Sequence, residues 1–150
     1  MEFLNGKKIT KWDLRFINLS KTVSDWSKDP DAKVGAIIVS PKKGPMAIGF
    51  NGFPIGVEDS AERLTDSSTK LELIVHAEQN AIINAGAQTE NSTIDVWGKP
   101  ICARCAGAII QAGVKRVVAL NPYSVPEKSK WRLTGELSVQ MFTEAKIETA

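Results

Sequence analysis

Short apolar runs of strand length alternate with helix-length segments in this chain, and that alternation constrains its fold more than any other feature. The runs "VGAIIV" (34–39) and "MAIGF" (46–50) predict two buried strands around a turn, and "TIDVW" (93–97) and "RVVAL" (116–120) predict two more. Residues 146–150 are expected to add an edge strand. Strands that alternate with helices imply an α/β fold, a three-layer α/β/α sandwich around a largely buried sheet.

Four helices are predicted from apolar periodicity and from helix stop signals. The first precedes residue 30, and two more near 76–86 and 102–113 are expected to end at their glycines. A last helix is expected over about 127–144. The residues predicted to face the core are Trp12, Phe16, Leu19, Val23 and Trp26 in the first helix and Leu133, Leu137 and Met141 in the last.

The segment 51–70, "NGFPIGVEDSAERLTDSSTK", is polar and rich in turn-forming residues. It is unusually long for a connection inside a compact domain, and loops of that length more often serve function than merely join two elements. We therefore expect this segment to be an irregular loop that covers a ligand site.

Composition limits the classes of function. A chain of 150 residues without internal repeats or an evident linker fits one domain, 1–150. No apolar run reaches the length of a membrane span, and the first ten residues lack the apolar core of a signal peptide, so we expect a cytoplasmic protein. A net charge of +2 is too small to predict binding to nucleic acid or to an anionic membrane.

The whole histidine and cysteine content of the chain lies in two short segments. His76 is the single histidine, and Cys102 and Cys105 are the two cysteines, at C-x-x-C spacing. Imidazole nitrogen and thiolate sulfur are preferred ligands of Zn²⁺, and three protein ligands plus a water make a catalytic zinc site. The alternatives are a redox dithiol, two small buried side chains, or an Asp or Glu as a fourth ligand.

The predicted helices place these residues at two helix N-termini. His76 and Glu78 are expected in the first turn of one helix, Cys102 just before another helix, and Cys105 in that helix's first turn. Unpaired N–H groups at both helix N-termini favour negatively charged groups, here the thiolates and a hydroxide bound to the metal. Glu78 is a candidate proton carrier, and its ordinary alternative is a solvated carboxylate near a helix N-terminus.

The segments "HAEQNAI" and "PICARC" resemble the signature of the zinc-dependent cytidine and deoxycytidylate deaminases, H-x-E followed by P-C-x-x-C. The segments "SKDPDAKVGAIIV", "IGFNGFPIGVED" and "CAGAIIQAGVKRVV" are also similar to the deoxycytidylate branch, in the same order. The resemblance implies a cytidine deaminase-like fold with a mixed five-stranded sheet, one catalytic Zn²⁺ per chain, and hydrolysis of dCMP to dUMP. The sequence departs from the family at Ile101, which separates Pro100 from Cys102.

Further site residues follow from the same resemblance. Asn51 is expected to bind the deoxyribose hydroxyl and the backbone N–H of Ala77 to hold the pyrimidine carbonyl. Tyr123 is a candidate for stacking on the base or reaching the phosphate, and Asn80 for bracing the site. An Asn-Gly turn, an exposed loop tyrosine and an ordinary helix residue are the respective alternatives. The candidates for phosphate binding are Arg63, Lys70, Lys99 and Arg104, in equal measure.

The resemblance also implies a homohexamer that dCTP activates and dTTP inhibits, with Mg²⁺ bound only together with a triphosphate effector. The expected effector site lies in the segments 27–30 and 49–52, where a glycine-rich turn leaves backbone N–H groups free for phosphates. The plain alternative is that these residues only end a helix and shape a turn. The candidate residues are Lys28, Asp29, Gly49 and Gly52.

Three functions compete at this point. They are deamination of dCMP, deamination of another cytosine substrate (free cytidine, dCTP or a base in nucleic acid), and a non-catalytic zinc domain. The 25 residues from Asn51 to His76 resemble the deoxycytidylate branch. A polynucleotide binder should show a basic stripe with stacking aromatic residues, whereas the clearest aromatic stripe here is predicted to be buried. A small nucleotide is the favoured substrate.

Overall fold

A mixed five-stranded β-sheet runs through the centre of the computed structural model, which describes residues 2–42 and 44–150. The strand order is β2-β1-β3-β4-β5, in which β1 is antiparallel to β2 and to β3, while β3, β4 and β5 are parallel. The sheet confirms the expected mixed topology and the edge strand near the C-terminus. The strands are β1 (Gly35–Ser40), β2 (Gly44–Phe50), β3 (Thr93–Trp97), β4 (Arg116–Val118) and β5 (Glu148–Thr149).

Helices cover both faces of this sheet. In the described ranges they are α1 (Lys11–Ser24), α2 (Ala61–Thr65), α3 (Ser67–Leu73), α4 (Ala77–Ala85), α5 (Ala103–Gln111) and α6 (Lys130–Glu144). Helix α1 packs on one face, α4 covers β1 and β2 on the other face, and α5 packs between α4 and α6. The larger apolar core lies beneath α4, α5 and α6, and a smaller one lies on the α1 side. The predicted three-layer α/β/α sandwich is therefore confirmed.

Helix α1 turns a different face to the sheet from the one predicted. Gly35 of β1 has no side chain, and the helix backbone at Ser20 approaches the strand where a Cβ atom would stand. Small residues therefore form this contact, and the aromatic stripe faces outward. The prediction holds for Val23, and Phe16 is half-buried. It is wrong for Trp12, Leu19 and Trp26, which are 56%, 39% and 54% exposed. The residues that α1 buries are Asp13, Ile17, Ser20, Val23 and Ser24.

The buried face of α1 is polar because its polar groups have partners. Arg116 of β4 donates through two nitrogens to the two carboxylate oxygens of Asp13, each at 2.7 Å. Thr10 and Asp13 also form a reciprocal capping box at the start of the helix. Ser20 donates its hydroxyl to the backbone carbonyl of Asp95 at 3.1 Å. Buried polar groups are tolerated when they are hydrogen-bonded, so this interface needs no apolar stripe.

The predicted core face of α6 holds for Met141, which packs against the larger core, and is wrong for Leu133 and Leu137. Leu133 and Leu137 are 68% and 43% exposed, and Met141 is partly buried. The residues that α6 buries are Gly135, Ser138 and Phe142. Phe142 enters the larger core, while the two small residues allow α6 to lie close to the chain that precedes α5.

The segment 51–70 is more ordered than the predicted irregular loop. Residues 61–65 form α2, and 67–73 form α3. Ser60 begins the first of these helices by accepting a hydrogen bond from the backbone N–H of Arg63. Turn-forming residues such as Ser and Asp also serve as helix N-caps, which explains why a polar, turn-rich composition concealed two short helices. None of the helices in the described part of the chain is long and apolar enough to cross a membrane.

Candidate active site

His76, Cys102 and Cys105 come together between the first turns of α4 and α5. The His76 Nδ1 atom lies 3.5 Å from Sγ of Cys102 and 3.3 Å from Sγ of Cys105. Their ligand atoms all lie within 4.8 Å of one another, close enough to share one metal ion. One imidazole nitrogen and two sulfurs are a donor set that suits zinc, so these side chains fit the metal expected from the sequence.

The two helix N-termini fix the ligands in place. His76 is the N-cap of α4, and its backbone N–H donates to the side-chain oxygen of Gln79 at 3.0 Å. Cys102 is the N-cap of α5, and its sulfur accepts from the backbone N–H of Cys105 at 3.4 Å. An N–H aimed at sulfur stabilises the thiolate form that binds metal.

The electrostatics among these protein groups favour a thiolate at Cys102. The hydrogen bond from Cys105 lowers the pKa of the Cys102 thiol to about 4. The same contact, together with burial, raises the pKa of Cys105, because one proton is shared between the two sulfurs. The hydrogen bond to Cys102 raises the pKa of His76.

Glu78 stands beside these ligands with its side chain buried. The residue is 4% exposed, and burial raises the pKa of its carboxyl group. Ala77, between Glu78 and His76, is the first residue of α4 and is fully buried. The N–H of a first helical residue has no acceptor within its own helix, so it is available to a ligand.

A solvent-open cleft lies over this group of side chains, and its cavity volume is about 130 Å³. Its polar lining includes Glu78, His76 and Asn51, and its apolar lining includes Ile74 and Trp131. Small-molecule sites are clefts with apolar walls and a few placed polar groups. This cleft has those properties.

Asn51 is buried in the wall of the cleft and holds the chain that enters β1. It is 5% exposed, its Oδ1 accepts from the backbone N–H of Val34 at 2.9 Å, and its Nδ2 donates to the carbonyl of Ala32 at 2.8 Å. Nδ2 also donates to Asp29 at 3.3 Å. Both amide hydrogens are used, and among the described residues one lone pair of Oδ1 remains for a ligand.

Lys70 of α3 lines one side of the cleft and forms ion pairs with a buried carboxylate, Asp29, and an exposed one, Asp31. Its Nζ lies 2.9 Å from Asp29 and 2.6 Å from Asp31, which lowers the pKa of Asp31. Hydrogen bonds with these two carboxylates outweigh burial and raise the pKa of Lys70. The segment expected to cover the site therefore reaches it, through a helix and a charge network instead of a flexible loop.

Several predicted residues lie away from the cleft lining. Tyr123 is 58% exposed, and the guanidinium of Arg132 lies 4.7 Å from its ring centroid. Arg63 donates to the carbonyl of Glu58, and Arg104 is exposed on α5. Neither arginine is part of the lining. Of the four phosphate candidates, Lys70 and Lys99 are therefore at the cleft.

Asn80 donates to the carbonyl of Phe50 at 2.9 Å, a contact that ties α4 to β2.

The candidate effector residues do not form one exposed phosphate site. The prediction of free backbone N–H groups is wrong for Gly52, whose N–H donates to Val75 at 3.1 Å. Gly49 pairs with Ala36 inside the sheet. Asp29 belongs to the cleft lining, and Lys28 forms an exposed ion pair with Asp59 at 2.9 Å.

Sequence analysis missed three charged or aromatic residues that line the cleft. Asp31, Lys130 and Trp131 all contribute to it, although two of them lie on α6, far from the metal ligands in sequence. No local motif marks them. The available signal was the placement of a lysine and a tryptophan at the start of the helix that follows β4, since strand ends meet ligands in α/β sheets.

Comparison with known protein families agrees with this geometry. Residues 10–121 match the family model described as the cytidine and deoxycytidylate deaminase zinc-binding region. The chain belongs to this family. The match confirms the resemblance inferred from the H-x-E and C-x-x-C segments and identifies a zinc-binding domain, with His76 and the two cysteines in position to bind the metal.

Individual relatives carry the same family names. An uncharacterized deaminase of the luxG 3' region in Aliivibrio fischeri is 37% identical over 145 residues, covering 93% of this chain and 92% of the relative. Human deoxycytidylate deaminase is 37% identical over 124 residues, covering 74% of this chain and 65% of the human protein. The crystal structure of dCMP deaminase from the cyanophage S-TIM5 in apo form superposes with a TM-score of 0.59 at 28% identity, covering 73% of this chain and 82% of that one. The cytidine deaminase-like fold is thereby confirmed.

Proposed function

We propose that this chain hydrolyses dCMP to dUMP and ammonia and so supplies dUMP for thymidylate synthesis. The observation that carries the proposal is the buried carboxylate of Glu78 beside one imidazole and two cysteine sulfurs at the base of the cleft. Similarity to human deoxycytidylate deaminase supports the choice of substrate. A purely structural zinc site has no use for a buried carboxylate next to three ligands, which argues against a non-catalytic domain.

The chemistry divides between the metal and Glu78. Zinc supplies Lewis acidity, which lowers the pKa of water from about 16 towards about 7. Glu78 takes one proton from the attacking water and delivers it to the ring nitrogen. It then takes the remaining proton from the hydroxyl group added to the ring carbon and gives it to the departing amine, which leaves as ammonia while the carbonyl forms. His76, Cys102 and Cys105 hold the metal, and the burial of Glu78 keeps bulk water from competing for its proton.

Two groups in the cleft orient the nucleoside. The remaining lone pair of Asn51 Oδ1 accepts a hydrogen bond from the deoxyribose hydroxyl, since both amide hydrogens of Asn51 are held by Ala32 and Asp29. The backbone N–H of Ala77 donates to the pyrimidine carbonyl. These contacts place the exocyclic amine towards Glu78, as the catalytic role requires.

Lys99 and Lys130 are the phosphate-binding residues in this proposal. Both line the cleft, and the charge of Lys70, the third lysine there, is compensated by Asp29 and Asp31. A phosphate monoester needs cations whose charge is not already paired, so Lys70 is the weakest of the three candidates. Tyr123 is not part of the proposed substrate site, because it does not line the cleft.

A small nucleotide remains preferred over a nucleic acid, but for a different reason. The exposure of Trp12 and Trp26 removes the argument from a buried aromatic stripe. The argument that remains is the cleft wall. Helix α3, fixed by Lys70 to Asp29, forms one wall of the cleft, and a walled cleft suits a small molecule better than a continuous strand.

The assembly and its control belong to the same proposal. We infer one zinc per chain, a cytoplasmic homohexamer, and regulation by dCTP and dTTP, with Mg²⁺ bound only with the triphosphate. Large apolar side chains exposed on several helices, including Trp12, Ile83 and Leu133, provide surface for self-association. Sedimentation at micromolar concentration should give an oligomer, and a monomer would contradict this part of the proposal.

The deciding experiment compares substrates in parallel. Purified protein is incubated with dCMP, dCTP, deoxycytidine and single-stranded DNA, while metal analysis measures zinc per chain. We expect deamination of dCMP at the highest kcat/KM and about one zinc per chain, since one set of nitrogen and sulfur ligands exists. A higher kcat/KM with any of the other three would reject dCMP as the substrate. Two zincs per chain, or none after gentle purification, would reject the metal site.

A further inference from the structure

We propose that Thr134 and Ser138 of α6 are positioning residues that hold the Cys102 segment in the geometry required for zinc binding. Neither residue is part of the cleft lining. Both form hydrogen bonds with the backbone, at the residues directly before and after Cys102. The inference rests on the zinc site of the family, and it does not depend on which base or nucleotide is deaminated.

Ser138 holds the residue before Cys102. It is 2% exposed, and its hydroxyl lies 2.6 Å from the backbone carbonyl of Ile101 and 3.1 Å from that of Thr134. A hydroxyl donates one hydrogen, and the shorter distance assigns that hydrogen mainly to Ile101. A buried carbonyl that loses its donor costs free energy, so the bond resists movement of this segment.

Thr134 holds the residue after Cys102. Its Oγ1 accepts from the backbone N–H of Ala103 at 2.8 Å. Ala103 is the first residue of α5, and such an N–H finds no acceptor inside its own helix. One turn of α6 thus supplies an acceptor to Ala103 and a donor to Ile101. The two bonds bracket the metal ligand between them.

Gly135 allows α6 to come close enough for these bonds. A Cβ atom at this position would lie 2.6 Å from Cβ of Pro122 and 3.1 Å from Cβ of Pro100. The distance to Pro122 is shorter than real Cβ contacts, and the distance to Pro100 is tighter than most of them, so a larger residue would force α6 away from these prolines. A glycine inside a helix costs stability, and this close approach explains why Gly135 stands here.

The same contacts explain how the chain accommodates Ile101. The family signature has proline directly before the first cysteine, whereas here Ile101 lies between Pro100 and Cys102. The Ile101 side chain is 3% exposed in the larger core, and its carbonyl is held by Ser138. The additional residue is therefore fixed through both its side chain and its backbone, and Cys102 still reaches the N-cap of α5.

Groups that orient metal ligands without binding the metal typically change metal affinity or activity by about 10- to 100-fold when they are removed. The test measures zinc release from the purified zinc-loaded protein to an excess of chelator, followed with a metal indicator. Thr134→Val and Ser138→Ala should each speed release by about 10-fold or more. Thr134→Ser keeps the acceptor and should restore release to within about two-fold of the parent.

A matched control lies on the same helix. Thr143 is exposed, and its hydroxyl bonds to the carbonyl of Val139 within α6. Thr143→Val makes the same chemical change as Thr134→Val without touching the Cys102 segment, and it should leave zinc release unchanged. Circular dichroism of each variant under the release conditions reports the folded fraction. If Ser138→Ala does not fold, the Thr134 variants still test the proposal, because Thr134 is only half-buried.

Three results would overturn the proposal. They are release rates within two-fold of the parent for both variants, release as fast in Thr143→Val as in Thr134→Val, and zinc loss that only follows the unfolded fraction. Faster release from folded Thr134→Val, reversed in Thr134→Ser, supports it. Because zinc release is measured without substrate, a failure to deaminate dCMP would reject the proposed function and leave this result standing.

Discussion

The Nζ atom of Lys70 lies 2.9 Å from Oδ1 of Asp29, and the two side chains are 9% and 5% exposed. Asp29 also accepts hydrogen bonds from the backbone N–H groups of Asp31 and Ala32, at 2.8 and 3.2 Å, and from the amide of Asn51. The pair therefore connects helix α3 to the residue proposed to bind the sugar.

Breaking this pair should destabilise the fold and weaken substrate binding together. Lys70→Met leaves the Asp29 carboxylate buried without its main counter-charge, and such a change costs about 3–5 kcal/mol of the unfolding free energy. We also expect a higher KM for dCMP, because Asn51 loses part of its support. Urea unfolding and steady-state kinetics measure the two effects.

Lys28→Met is the matched control for that experiment. Lys28 also bridges the 27–31 turn to the segment 51–70, but its ion pair with Asp59 is 69% and 44% exposed. Exposed pairs contribute about 0–1 kcal/mol, so this variant should unfold close to the parent. Equal losses in the two variants would mean that burial of the Lys70 pair has no special effect.

Replacing Glu78 by Gln should abolish activity without loss of metal. The substitution removes the proton carrier and leaves His76 and both cysteines intact, and general acid–base catalysis contributes about 10²- to 10⁴-fold to rate. Zinc content and melting temperature should stay near those of the parent. His76→Ala, in contrast, should lose zinc as well as activity. A Glu78→Gln enzyme within a few-fold of parental kcat would exclude Glu78 from proton transfer.

The metal ligands could be predicted from the sequence because their chemistry is rare in it. One histidine and two cysteines leave few ways to build a site, and each lies next to a helix start that local signals mark. The strands were equally predictable, since runs such as 34–39 are continuous, apolar and bounded by turn-forming residues.

The buried faces of the helices and the outer site residues could not be predicted from the sequence, because contacts with residues far away in the chain determine them. The Asp13–Arg116 pair joins residues 103 positions apart and makes a polar face the buried one. Periodicity reports where apolar residues lie and carries no information on which face finds partners. Lys130 reaches the cleft through the packing of α6, so no motif near the metal ligands reveals it.

Asp95 in the centre of β3 predicts an unusual pH dependence of stability. The residue is fully buried between α1 and the sheet, and within the described ranges neither of its carboxylate oxygens has a hydrogen-bond partner. Burial, with repulsion from Asp13, raises the pKa of Asp95 to about 8, although Arg116 opposes the shift. The folded protein therefore holds this group protonated at neutral pH.

The sign of the effect follows from that raised pKa. The unfolded chain releases the Asp95 proton near pH 3.8 and the folded chain near pH 8, so this group costs stability increasingly as pH rises between those values. Between about pH 5.5 and pH 8 the loss is of the order of 3 kcal/mol. Asp95→Asn should remove this dependence in urea unfolding across the range, whereas Asp25→Asn at an exposed position should retain it. An unchanged slope in Asp95→Asn would contradict the prediction.

Control by triphosphates should appear in the shape of the dCMP saturation curve. The 27–32 turn bonds directly to Asn51, so a ligand bound at this turn can alter the sugar-binding residue. We expect a sigmoidal curve that becomes hyperbolic with dCTP and Mg²⁺ and more sigmoidal with dTTP, with a coupling free energy of about 1–3 kcal/mol. Superimposable curves with and without each triphosphate would show an unregulated enzyme.

Removal of Lys99 or Lys130 should lower kcat/KM more for the nucleotide dCMP than for the nucleoside deoxycytidine. Hydrogen bonds to charged groups are worth about 1.5–3 kcal/mol, so Lys99→Ala and Lys130→Ala should each lower kcat/KM for dCMP by about 10-fold or more. The same variants should leave kcat/KM for deoxycytidine within a few-fold of the parent, because the nucleoside has no phosphate to lose.

Arg104→Ala provides the control for this comparison. Arg104 had equal weight as a phosphate candidate in the sequence, yet it is exposed on α5 outside the cleft lining. Its removal changes the net charge by the same amount, so any long-range attraction of the phosphate falls equally in all three variants. A selective loss with dCMP in the lysine variants alone places the phosphate between Lys99 and Lys130. An equal loss in Arg104→Ala, or equal losses for dCMP and deoxycytidine, would remove both lysines from the phosphate site.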